Sequence, residues 1–218
     1  MCVMKRYLTE QQQGALLRAV SREAGLLPRR DSAWIRLLQG TGMRLNELVT
    51  MTVGDAEAAL RNGRLFVPKE RRKGGRQDHD YLVTEPVRRA LADLLAVRRE
   101  QGFMNLAAGA LVMSRKHGGM SARGFEQRLA LWAKAAGIGE GVSPHWLRHT
   151  RAMNIMRRST SADPRGVVQG ALGHASISST GVYTRMSKED LDEALRAVDG
   201  GRLPKRALRR EYEGRAGA

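Results

Sequence analysis

"SPHWLRHTRAMNIMRR", residues 143–158, crowds two histidines and four arginines into one stretch of helical patterning. Ser143 and Pro144 suit a helix start, and His145, Arg148 and His149 then fall at i, i+3 and i+4 on one face. Cations on one face repel one another, so the crowding needs a reason. Three present themselves: a solvated basic face, a histidine metal site, or one wall of a pocket for an anion. The first turn of a helix exposes backbone N–H groups and the positive end of its dipole, which favours phosphate. The histidine spacing also matches a zinc-binding helix, with His174 as a third ligand. However, Trp146 stands where such a helix carries its catalytic Glu, and no acidic residue lies between 141 and 162. No metal and no other cofactor is expected.

The whole chain points to an anionic partner. Its 218 residues carry 38 Lys+Arg against 22 Asp+Glu, a formal net charge of +16, and such an excess marks a binder of nucleic acid. Aromatic residues make up 5%, too few for the stacking platforms that grip single strands, so duplex DNA is the expected form. No window reaches the roughly 18 apolar residues of a spanning helix, and "MCVMKRYLTEQQQ" lacks the apolar run of a secretory signal. A single cysteine, Cys2, fits a reducing compartment. These features predict a cytoplasmic protein with no membrane partner.

Periodicity predicts a mainly α chain with a small antiparallel three-stranded β-sheet, an α+β fold. Thr9 caps a first helix that stops near Gly25. A second helix starts at Asp31 and ends at Gly40 and Gly42; a short third carries Leu45, Leu48 and Val49. "TMTV", "RLFVP" and "DYLVT" within residues 50–84 supply the three strands, with the basic "KERRKGGRQDH" as a hairpin loop. Helices follow over "EPVRRALADLLAVRREQG", "SARGFEQRLALWAKAAG" and the opening stretch, and "SKEDLDEALRAVDG" closes the patterned part at Gly200. Between the first two of these, "ALVMS" adds a short extended piece. Residues 1–200 read as one domain and 201–218 as a basic, flexible tail.

Three further segments carry chemistry. "TGMRLNEL" places Arg44 after a glycine turn, "RKGGRQ" places Lys73 in a loop where glycine lets the backbone approach a ligand, and "LGHASISSTGVY" holds His174 and Tyr183. Taken singly, each has an ordinary reading: a hairpin tip, a capping histidine, a core aromatic. Taken with "HWLRHT" and in this order, they resemble the catalytic signature of the tyrosine recombinase (integrase) family over about residues 8–199.

The resemblance implies a fold, a chemistry and a set of roles. Arg44, Lys73, His145, Arg148 and His174 would form the activating pocket, and Tyr183 would be the nucleophile. Two guanidiniums suit the non-bridging oxygens of a phosphodiester. A phenol with a pKa near 10 needs a base or acceptor, the family role of His145, while His174 would bond the phosphate. Lys73 would protonate the leaving 5′ oxygen, with Lys69 and Arg76 as neighbours competing for that role. The product would be a 3′-phosphotyrosyl ester that conserves the bond energy, so that strands rejoin without ATP.

His149 is expected as support behind Arg148, and Arg72, Arg76 and Arg151 as contacts to the DNA backbone. The partners implied are double-stranded DNA, further copies of the chain in a tetrameric synapse, and an accessory DNA-binding protein. The family's usual N-terminal clamping domain has no counterpart in these 218 residues, as in the short invertases of the family. Two other functions share these residues: an accessory DNA-binding protein that does not turn over, and a type IB topoisomerase-like nicking and closing enzyme.

Overall fold

Thr9 begins the first helix as the sequence predicts. Its hydroxyl accepts from Gln12 N while the Gln12 side chain accepts from Thr9 N, a reciprocal cap. The computed structural model describes residues 6–72, 74 and 77–173. These lie in a first compact unit, Met1–Tyr183; the second, Thr184–Ala218, is outside the described residues. Eight helices order the described chain: α1 (Glu10–Arg22), α2 (Leu26–Thr41), α3 (Leu45–Val49), α4 (Val53–Asn62), α5 (Glu85–Glu100), α6 (Ala122–Ala135), α7 (Pro144–Arg158) and α8 (Pro164–Leu172). None of them is long and apolar enough to cross a membrane.

The sheet differs from expectation, having two described strands rather than three. β1 (Arg64–Val67) and β2 (His79–Leu82) pair antiparallel, with Val67 opposite His79. The piece read as a further strand, "TMTV", instead starts α4. Thr52 caps it by accepting from Asp55 N, while Asp55 accepts from Thr52 N. What remains of strand character there is one bridge, Thr52 to Ala110 in the extended "ALVMS" piece, beside the bond from Leu111 N to Met51 O. A local cap thus outcompeted β propensity, which depends on neighbours that a single segment does not reveal.

A second correction concerns Asp31, expected to start α2. The helix begins five residues earlier, with Pro28 in its first turn, and Asp31 is fully buried inside it. Its carboxylate accepts from Arg30, Trp34, Arg128 and Trp132. A buried carboxylate is tolerated only with such partners, and here it stitches α2 to α6.

The core lies among these helices: Trp34, Ile35, Leu37 and Leu38 of α2, Leu91 and Leu94 of α5, and Phe125 and Leu129 of α6 are almost inaccessible. Trp34 and Phe125 meet edge to face at 5.1 Å. The opening stretch is helix α7 with its start at Pro144, and the N-terminal segment runs against it. Leu8 N donates to Thr150 Oγ1 at 2.9 Å, Gln13 and Asn154 exchange side-chain bonds, and Arg157 donates to Tyr7 OH. Residues some 140 positions apart therefore pin the helix that carries His145 and Arg148.

Candidate active site

Two turns bring the sequence-predicted arginines together. Gly42 ends α2 at φ 69°, and a Cβ there would lie 2.5 Å from Leu172 and 3.0 Å from Arg151, so glycine alone permits this close crossing of α2 with α7 and α8. Arg44 then precedes α3, and Glu47 in the first turn of α3 accepts from Arg44 N at 2.9 Å and from its guanidinium at 3.2 Å. From α7, the buried Arg148 donates to Gly42 O at 2.6 Å and Leu172 O at 2.8 Å. Arg44, Arg148 and His145 line one open cleft of about 580 Å³, with Glu47, Ser143 and Glu126 in its walls.

Glu47, within "TGMRLNEL" but given no role by the sequence alone, is the centre of the site's scaffold. Besides Arg44 it accepts from Arg72 Nε at 3.3 Å and Tyr81 OH at 2.7 Å. Burial alone would raise its pKa. The Tyr81 and Arg44 hydrogen bonds and the Arg44 and Arg148 charges outweigh that, and the carboxyl titrates below its ordinary value. Tyr81 is pushed the other way, by burial first and the Glu47 charge second, so it stays a protonated donor. The signal for Glu47 was present: an acidic residue three positions after the residue that precedes a helix.

The two histidines of α7 stack edge to face, ring centroids 4.3 Å apart. Loss of hydration lowers the pKa of His145, and the Arg148, Arg44 and Arg6 charges lower it further. His149 is lowered to about 4 by burial and then by His145, Arg148 and Arg6. Both rings are therefore neutral at pH 7, and a neutral imidazole can accept a proton. His149, expected as support behind Arg148, also has its ring against His145.

The remaining predicted residues fall in three groups. Lys73, Arg76, His174 and Tyr183 lie outside the described residues. Arg72 was expected on DNA, yet its side chain is 8% exposed and turned inward, donating to Gln77 O and Gly173 O as well as Glu47. Arg151 is half-buried against Gly42; burial lowers its pKa, and its Nε has no partner among the described residues. Exposed cations that the sequence did not single out include Arg115, Lys116 and Arg123, which line a second cleft, of about 370 Å³, at the start of α6. No group of three metal-ligating side chains occurs among the described residues.

The end of α8 is tied down with unusual completeness. Its last carbonyls lack partners within the helix, and three side chains supply them: His79 Nε2 meets Ala171 O at 3.2 Å, Arg148 takes Leu172 O, and Arg72 takes Gly173 O at 2.8 Å. Gly173, at φ 60°, has no room for a Cβ, which would collide with Arg72 and His79.

Such a cleft offers two guanidiniums and a neutral imidazole on a braced scaffold, suited to a phosphodiester whose charge grows during attack. Comparison with known proteins gives the family. Residues 6–190 match the phage integrase family. The chain is 35% identical over 211 residues to the tyrosine recombinase XerD of Mycobacterium leprae, covering 93% of this chain and 62% of that protein. It is 32% identical over 194 residues to XerC of Corynebacterium efficiens, covering 88% and 58%. The chain thus spans less than two thirds of the length of these relatives. The crystal structure of XerA recombinase aligns with a TM-score of 0.69 at 27% identity, over 90% of this chain and 66% of that one.

Proposed function

This chain belongs to the phage integrase family, and from that premise we propose that it breaks and rejoins strands of duplex DNA as a site-specific tyrosine recombinase. The observation that carries the proposal is the convergence of Arg44, Arg148 and His145 on one cleft, with Glu47 bracing Arg44. In this reading the two guanidiniums neutralise the scissile phosphate, and neutral His145 receives the phenolic proton of Tyr183. His174 bonds the phosphate and Lys73 protonates the departing 5′ oxygen. The phosphorus–oxygen bond to the 5′ side breaks as the bond to tyrosine forms, leaving a 3′-phosphotyrosyl enzyme and a 5′-hydroxyl.

The net charge of +16 and the basic cleft of Arg115, Lys116 and Arg123 support a duplex partner. Arg76 and Arg151 are proposed as further backbone contacts. Residues 1–200 act as the catalytic domain and 201–218 as its basic tail, several copies synapse two duplexes as a tetramer, and an accessory DNA-binding protein assists. The proposed location is the cytoplasm, at the nucleoid or a plasmid.

A nicked suicide duplex carrying the protein's own recombination site tests this. The nick lets the short 5′-hydroxyl product diffuse away and traps the covalent complex, visible as a slow band in a denaturing gel. The wild-type chain is expected to give that band without metal or ATP. Its absence would leave a DNA-binding protein without strand chemistry.

A further inference from the structure

The active-site cleft has a carboxylate in its wall that the scaffold does not use. The other acid there, Glu47, is buried and takes bonds from Arg44, Arg72 and Tyr81. Glu126 is exposed and lines the same cleft as Arg44, His145 and Arg148, with no ion pair or hydrogen bond among the described residues.

Helix α6 holds it on a rigid support. Ser121 caps the helix by accepting from Gly124 N, and Phe125 and Leu129 are inaccessible in the core. Arg128 and Trp132 donate to the buried Asp31 of α2. Residues four apart share one side of a helix, and Ala122 and Glu126 both line the active-site cleft. Arg123 and Gln127, one residue on in each turn, line the second, basic cleft. The first two turns of α6 are thus the ridge between the two clefts. A helix dipole favours an acidic side chain only within the first turn, and Glu126 lies beyond it.

The chemistry of a duplex limits what such a group can meet. The DNA backbone presents only acceptor oxygens, and its phosphates repel a carboxylate. Donors lie on the base edges. A helix about 10 Å across enters the major groove but not the minor groove, which is roughly 6 Å wide. In the major groove the donors are the amino groups N4 of cytosine and N6 of adenine. Adenine sets the acceptor N7 beside its amino group, which opposes a carboxylate; cytosine has no acceptor on that edge. We propose that Glu126 sets the sequence preference of this chain by accepting from the N4 amino group of a cytosine close to the phosphate held by Arg44 and Arg148. This rests on the recombinase reading above, which places a duplex in the cleft.

The test separates sequence reading from strand chemistry. The full chain is incubated with a pool of randomised duplexes and the bound fraction is sequenced, for wild type, Glu126→Ala and Glu126→Gln. Wild type is expected to enrich cytosine at one position by roughly tenfold over the other bases, within the range of a good side-chain contact to a base. Glu126→Ala should lose that preference and leave the rest of the motif unchanged. Glu126→Gln should move it to adenine, whose N6 and N7 suit an amide. The selected duplex is then remade with 2-pyrimidinone, a cytosine without its amino group, at that position. Wild type should bind it roughly tenfold more weakly than the parent, whereas Glu126→Ala should bind the two alike, because the interaction is already gone.

The same preference in all three proteins, a uniform loss of binding across the motif, or a wild-type motif without cytosine overturns the proposal. Failure of the recombinase reading looks different: the base preference appears in the bound pool, yet wild type forms no covalent adduct on a nicked copy of the selected duplex.

Discussion

Arg148→Ala is expected to slow adduct formation on a nicked duplex by roughly 10³-fold, the scale set by removing one donor to a developing oxyanion. DNA affinity should fall less than about tenfold, because one phosphate contact is a small part of a binding free energy summed over many cations. The structure adds a second consequence. Arg148 also holds Gly42 O and Leu172 O, so its loss unties α7 from the end of α2 and from the end of α8. Hydrogen bonds from a charged group contribute about 1.5–3 kcal/mol each, and urea unfolding should report a loss of that order. Arg148→Lys should recover stability only in part and activity hardly at all, since an ammonium lacks the fork that serves two carbonyls and a phosphate together. A lysine variant that cleaves at the wild-type rate would contradict the fork.

Glu47→Ala is expected to be the most destabilising single change in the site. It leaves the guanidiniums of Arg44 and Arg72 without their shared acceptor and strands the buried Tyr81 hydroxyl. Breaking a buried ion pair by removing one partner costs about 3–5 kcal/mol, and chemical denaturation measures it. The folded pKa of Glu47 lies below its unfolded value. Its stabilisation is therefore present above the unfolded pKa of about 4.3 and is lost as pH falls through the folded value. Wild type should lose stability over that acidic range, while Glu47→Gln, already uncharged, should show a flatter profile there. Identical pH profiles for the two proteins would remove Glu47 from the electrostatic scaffold.

Much of the helical architecture was legible because its signals are local. Thr9 with Gln12, Pro86 in the first turn of α5, and Ser143 with Pro144 at the start of α7 all announce helix starts within four residues. The pairing of Arg44 with Arg148 was legible only through ordered motifs, since no local rule joins residues 104 positions apart. What escaped was decided by tertiary partners. Thr52 followed by Val53 and Gly54 has strand character, yet Asp55 closes a cap and turns the segment into α4. Asp31 resembles a helix cap and is instead a buried acceptor whose donors Arg128 and Trp132 come from α6. Arg72 looks like any exposed cation in a basic run; only Glu47, Gln77 and Gly173 make it an inward brace.

The proposed chemistry is the activation of one phosphodiester for attack by one tyrosine. Its most direct test is to trap the covalent complex on a nicked duplex, digest it with protease and nuclease, and map the residue that carries the nucleotide by mass spectrometry. Expected are a 3′-nucleotide linked through phosphate to Tyr183, a free 5′-hydroxyl on the released strand, and no adduct from Tyr183→Phe. A nucleotide on any other residue, or an adduct that persists in Tyr183→Phe, would contradict it.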